Sequence, residues 1–177
     1  MASKRTIDIL KSSIETDYFT DAVAFFALSA SRGIRGKIFR LLKSGDLIRL
    51  KNGFYVFGET HRKQQLNIFE IANALYGPSY ISLESALSYY GLIPEAVVEI
   101  TSVDTNRKKT FSTPLGIFSY RQVWKNAFAQ GVVQINLENS KIIGLYLAPV
   151  CVKQDYRRNG YGAELIEKSL KKAQKLG

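Results

Sequence analysis

One cysteine and one histidine occur among the 177 residues, which excludes a disulfide framework and most zinc sites built from several Cys and His ligands. Proline is scarce at four, and no internal repeat, low-complexity tract or Pro-rich linker interrupts the chain. No apolar run approaches the roughly 18 residues that a membrane span needs. Met1-Ala2-Ser3-Lys4-Arg5 leads into a mixed polar helix rather than an apolar stretch. A secretory signal is therefore not expected, and a cytoplasmic location without membrane attachment is. Acidic residues are also few: Asp+Glu 15 against Lys+Arg 25 leaves a formal charge of +10. That balance rules out an acidic disordered tail and points to an anionic partner. What remains is 46% hydrophobic residues, enough for a core, in a length that fits one domain or two small ones.

The positive charge is concentrated. Between residues 31 and 51 stand Arg32, Arg35, Lys37, Arg40, Lys43, Arg49 and Lys51 against Asp46 alone. The pattern around this window predicts three helices and a hairpin. A first helix over about Thr6–Ser13 carries Ile7, Leu10 and Ile14 on one face. A second follows Thr20, a good N-cap, with Asp21 at its positive end and Val23, Phe26 and Ala27 marking an apolar side. A third is expected from a Ser31 cap to about Ser44, stopped by Gly45. At 100° per residue its Ile34, Ile38, Leu41 and Leu42 form one buried stripe. Arg32, Gly36, Arg40 and Lys43 fall opposite, and Arg35 flanks them. Gly36 costs a helix about 1 kcal/mol against Ala, a cost a helix has reason to accept if it must lie close against a bulky surface. Asn52-Gly53 between Leu47–Leu50 and Phe54–Phe57 is a strong hairpin signal.

Three helices followed by a hairpin with a basic edge is the order of a winged helix-turn-helix, whose third helix enters the major groove while the hairpin touches the neighbouring backbone. The candidate contacts to operator double-stranded DNA are Arg32, Arg35, Gly36, Arg40 and Lys43 on the helix and Arg49, Lys51 and Asn52 on the hairpin. Arg32 and Arg35 are expected to govern sequence choice, Arg49 and Lys51 to attract phosphates on any sequence.

Residues 67–123 include Asn67-Ile68-Phe69-Glu70-Ile71-Ala72, the long string Tyr80-Ile81-Ser82-Leu83-Glu84-Ser85-Ala86-Leu87-Ser88-Tyr89-Tyr90-Gly91-Leu92-Ile93-Pro94-Glu95, and Phe111-Ser112-Thr113-Pro114-Leu115-Gly116. With the Phe54-Tyr55 exit from the hairpin, they resemble the AbiEi family of antitoxins from type IV toxin–antitoxin systems over about residues 5–130. The resemblance implies an operator-binding repressor of its own operon. It also implies a C-terminal region that opposes a nucleotidyltransferase-like toxin without a tight complex. Taken residue by residue, the same segment is structural. Ser82 caps a helix with Leu83, Ala86, Leu87 and Tyr90 on its apolar face, and Gly91 ends it. Val97, Val98, Ile100 and Val103 suggest a strand, Arg107-Lys108-Lys109 a basic turn, and Ile117–Val123 another strand. Glu70, Glu84, Glu95 and Glu99 have no His, Cys or Gly-rich loop beside them and read as surface carboxylates, and His61 as a loop residue. No catalytic residue and no metal site are expected.

Beyond about residue 131 the pattern changes. Leu137–Leu145 reads as two strands about a polar turn. Then come Val150-Cys151-Val152, Asp155-Tyr156-Arg157-Arg158-Asn159-Gly160-Tyr161-Gly162 and an amphipathic helix from Ala163 to about Lys175. This strand, Arg-x-x-Gly-x-Gly and helix resemble the acetyl-CoA-binding core of GNAT N-acetyltransferases. Glycines there let the backbone approach a pyrophosphate, and amide N–H groups at the helix start point at it. Val150, Val152, Arg157, Arg158, Gly160 and Gly162 are the positions that carry over as cofactor-binding, with acetyl-CoA the ligand. Cys151 reads as a core residue. The unit breaks off where a further strand would follow, so a truncated segment without turnover is expected. The fold class expected is α+β: a winged helix-turn-helix at 1–60, a small α/β antitoxin-like region at 61–130, and a partial GNAT-like ββα unit at 131–177. The functional alternative is a GNAT N-acetyltransferase fused to a DNA-binding module.

Overall fold

A computed structural model describes residues 2–89, 93, 98–128, 132–137 and 140–146. They form a mixed α+β structure with two sheets. The first half runs α1 (Ala2–Ser13), β1 (Tyr18–Thr20), α2 (Asp21–Ala27), α3 (Ile34–Lys43), β2 (Leu47–Lys51) and β3 (Phe54–Phe57). The three strands are antiparallel in the order β1-β3-β2. Asn52-Gly53 makes the β2–β3 turn, and Gly53 takes φ +73°, a left-handed backbone that glycine adopts without a Cβ penalty.

A core of Ile7, Leu10, Ile14, Phe19, Ala24, Leu28, Ile38, Leu41, Leu47, Tyr55 and Phe57 joins the helices to one face of this sheet. The other face is buried as well. Leu50, Phe54 and Val56 pack with Ile71, Ala72, Leu75, Ile81, Phe118 and Tyr120 of the second half. All four residues of β3 are therefore buried, alternating between two cores rather than between core and water.

A 3-10 turn (Glu59–His61) leads to α4 (Ile68–Leu75), β4 (Ser79–Ile81), α5 (Leu83–Tyr89), β5 (Glu99–Asp104), β6 (Lys109–Thr113), β7 (Gly116–Gln122), α6 (Lys125–Phe128), β8 (Val132–Leu137) and β9 (Ser140–Tyr146). Asn67 caps α4, its Oδ1 accepting from the backbone N–H groups of Phe69 and Glu70 at 3.0 and 3.3 Å. The second sheet has the order β6-β7-β5-β4-β9-β8. Its strands come from both sides of residue 131, with β9 pairing parallel to β4. Between β5 and α5, Thr101 Oγ1 donates to the Ser82 carbonyl at 2.7 Å while the Thr101 N–H donates to Ser85 Oγ at 2.8 Å, so this buried polar contact is satisfied from both elements.

Several local expectations are corrected. Ser31 does not cap α3. Its N–H donates to the Leu28 carbonyl at 2.7 Å, closing the end of α2, and Gly33 at φ +65° holds the N-cap position instead. Arg32 consequently lies in the turn before the helix. Thr20 holds the N-cap position of α2 but makes no side-chain capping bond. Val23 and Phe26 do not face the core: they are 41% and 83% exposed, and the seven-residue helix buries Ala24, with Leu28 following. Lys109 is the first residue of β6, not part of a turn. Glu70 is not a free surface carboxylate, because Tyr18 Oη donates to its Oε1 at 3.0 Å. His61 sits in the 3-10 turn with Nε2 2.8 Å from Asp46 Oδ1. Tyr90, Gly91, Glu95 and Val97 lie outside the described residues.

Candidate functional site

The helical part of the cationic window forms one exposed face. α3 buries Ile38 and Leu41, and Ile34 and Leu42 pack partly against the same core, as the apolar stripe predicts. Its remaining face is open: Arg35, Gly36, Arg40 and Lys43 are all exposed, and Arg32 is exposed in the turn ahead of it. A Cβ built on Gly36 would meet nothing within 4 Å, so the backbone lies bare on this face. No acidic residue occurs on α3. Among the described residues the ion pair present is His61–Asp46, and none involves the α3 cations.

Phe39 was not among the residues the sequence pattern selected, yet it belongs to this surface and is 67% exposed. At 100° per residue it falls between Arg35 on one side and Lys43, Gly36 and Arg40 on the other, toward the Arg35 side of the exposed arc. The signal was in the sequence: a bulky aromatic off the buried stripe of an amphipathic helix.

The hairpin contributes less than expected. Arg49 and Asn52 are exposed. Lys51 is not free for a phosphate. Its Nζ donates to the carbonyl of Leu75, at the last residue of α4, and lies 5.9, 6.0 and 5.5 Å from the ring centroids of Phe54, Tyr76 and Phe111. Burial, and then the nearby Lys109 ammonium, lower its pKa. A lysine that satisfies a helix-end carbonyl inside an aromatic cage ties the hairpin to the second half. The reason is tertiary: the face of the sheet that a free-standing hairpin would leave to solvent is covered here.

Elsewhere the polar groups are structural. Asp17 accepts the backbone N–H groups of Lys63 and Gln64 at 2.8 and 3.1 Å, and Lys63 Nζ returns to the carbonyls of Ile14 and Glu15. Burial, and the Glu70 carboxylate it donates to, push the Tyr18 hydroxyl up to about 12. Among the described residues no group of three or more His, Cys, Asp and Glu is placed to hold a metal ion. No helix among them is long and apolar enough to cross a membrane.

Val150, Val152, Arg157, Arg158, Gly160 and Gly162 lie outside the described residues, as do Cys151 and the helix expected after Gly162. What the structure gives of that segment is the β8–β9 hairpin, hydrogen-bonded into the same sheet as β4–β7. Residues 98–177 match the family described as the acetyltransferase (GNAT) family. The match thus begins just before β5, inside the antitoxin-like segment, and takes in β5 through β9. No curated protein matches the chain. From residue 98 onward, then, this chain is similar to the GNAT acetyltransferases.

Proposed function

We propose that this protein joins a duplex-DNA-binding unit at residues 1–60 to a C-terminal unit for acetyl-CoA-dependent N-acyl transfer. The observation that carries the reading is the acetyltransferase match over residues 98–177. In that unit Arg157, Arg158 and the backbone from Gly160 to Gly162 would receive the acetyl-CoA pyrophosphate, beside a strand containing Val150 and Val152. The N-terminal unit reads as a winged helix-turn-helix. Its support is the element order, the β1-β3-β2 sheet and the cationic face of α3, which has no ion pair among the described residues. The contact set proposed is Arg32, Arg35, Arg40, Lys43, Arg49 and Asn52 around the bare backbone of Gly36, without Lys51. A cytoplasmic location follows from both partners.

Two measurements on the full chain test the halves separately. Calorimetry with acetyl-CoA is expected to give binding that Gly160→Val with Gly162→Val abolishes. Absence of binding at millimolar acetyl-CoA refutes the C-terminal reading. Fluorescence anisotropy on duplex DNA is expected to show steep salt dependence. Replacing Arg35, Arg40 and Lys43 by Gln should reduce the slope of log K against log salt by about 0.9 for each phosphate no longer neutralised. An unchanged slope refutes the N-terminal reading.

The antitoxin role is a second reading, favoured by the acid-free α3 face, which an autorepressor would place on its operator. It predicts that co-expression relieves growth arrest by a nucleotidyltransferase-like toxin without co-purification. Unrelieved arrest removes it.

A further inference from the structure

We propose that Phe39 is a specificity residue that reads thymine, its ring packing on the C5-methyl group in the major groove. The inference rests on the duplex-binding reading of α3 and deepens it. Phe39 is 67% exposed on a helix whose apolar stripe is otherwise turned inward, with Ile38 and Leu41 buried. An aromatic ring held in water in this way calls for a partner with an apolar feature. Around it stand Arg35 one turn before, Lys43 one turn after, and Arg40 beside it, all exposed and none ion-paired among the described residues. A partner for this surface must therefore be apolar at its centre and anionic at its margins.

A major groove has that composition where thymine occurs. The methyl group is the apolar feature on its floor, and phosphates line both edges. Phe39 stands on the exposed arc between Arg35 and Lys43, so the ring meets bases while the charges on either side of it meet backbone or guanine edges. The bare Gly36 backbone lets the helix sit close enough for a side chain of this length to reach the floor. A second copy of the same face is disfavoured, because it would bring Arg35, Arg40 and Lys43 against their equivalents with no acid on α3 to offset them. Phe26 and Val23 on α2 are exposed too, but α2 has no basic residue to give such a partner a charged margin.

The test begins with the full chain and a randomised duplex library of about 20 base pairs, two turns of major groove, from which a preferred site is selected. Each thymine of that site is then replaced by deoxyuracil, which removes only the methyl group. Wild type is expected to lose about four-fold in affinity at one or two positions, the worth of one buried methyl. Phe39→Ala should bind the thymine site more weakly and show no further loss on the deoxyuracil site, whereas Phe39→Leu, still apolar, should retain part of the discrimination. Circular dichroism before binding confirms folding, and the deoxyuracil series on wild type stands without any variant. The proposal is overturned if no thymine replacement weakens wild type, or if Phe39→Ala keeps the full discrimination against deoxyuracil. It is also overturned if Phe39→Ala converts a dimer to a monomer in sedimentation while methyl discrimination is unchanged, which assigns the ring to a second copy. Wild type with no salt-dependent duplex binding at all refutes the reading of α3 itself and this inference with it. Binding that depends on Arg35, Arg40 and Lys43 but ignores the methyl group refutes this inference alone.

Discussion

Replacing Lys51 with Met separates a structural lysine from a DNA-contacting one. Met keeps most of the aliphatic stem and removes the ammonium group, so packing against Phe54, Tyr76 and Phe111 survives while the bond to the Leu75 carbonyl does not. A hydrogen bond from a charged donor contributes about 1.5–3 kcal/mol, and the surrounding rings add about 0.5–1 kcal/mol in cation–π attraction. Against this stand the desolvation of the ammonium and its repulsion by Lys109, the two causes that lower its pKa. The carbonyl left behind lies at the negative end of α4, where a cation is favoured. A net loss of about 2 kcal/mol follows, and it falls on the packing between the two halves. Urea unfolding followed by circular dichroism reads the stability, and anisotropy on duplex DNA reads the binding. Expected is a lower midpoint with duplex affinity within about two-fold of wild type, measured where both proteins are folded. Lys51→Met that unfolds with wild type but binds duplex as poorly as Arg35→Gln would refute the reasoning and return Lys51 to the DNA-contacting set.

Gly58→Ala should cost about 1–3 kcal/mol, because a Cβ there would come within 2.2 Å of the Gly45 carbonyl oxygen, a backbone atom that cannot swing away; a melting temperature equal to wild type counts against it. Asp104 is fully buried, with Oδ1 accepting from the Asn106 N–H and Oδ2 without a partner among the described residues, and burial raises its pKa above the usual 3.8 despite the opposing Asn106 bond. The folded state therefore holds this proton more tightly than the unfolded one, and stability from this group falls as pH rises from about 4 through the raised value. Asp104→Asn should gain on wild type as pH rises from about 4 in urea titrations, and parallel curves would refute the assignment. Tyr18 has the same sign at alkaline pH: with its hydroxyl at about 12 against the usual 10.0, stability is retained below about pH 10 and lost as pH climbs toward 12. Tyr18→Phe should remove that part of the alkaline loss, and an unchanged alkaline profile would count against the Tyr18–Glu70 bond.

Local patterning was sufficient for the elements whose signals are local. The Ile34–Leu42 stripe placed the buried side of α3, Asn52-Gly53 placed the hairpin turn, and the apolar residues after Ser82 placed α5. Ser82 itself does not cap α5: its Oγ has no partner among the described residues, and the Ser85 N–H donates to Thr101 Oγ1 instead. Helical periodicity also carried the charge separation of the candidate site, because opposite faces of one helix follow from 3.6 residues per turn alone. β6 was not legible: Lys109-Thr110-Phe111-Ser112-Thr113 has one apolar residue, and an edge strand with little buried surface leaves no alternation to find. The start of α3 was misplaced because Ser31 and Gly33 both suit a helix entrance, and the choice went to the residue not already bonded to α2. Only tertiary structure decided the fate of the hairpin's second face and of Lys51. A basic residue beside a turn looks alike in every sequence. Whether it reaches a phosphate or the Leu75 carbonyl depends on α4 and β6, which lie 24 and more residues further along the chain and cover the sheet only once both halves are folded.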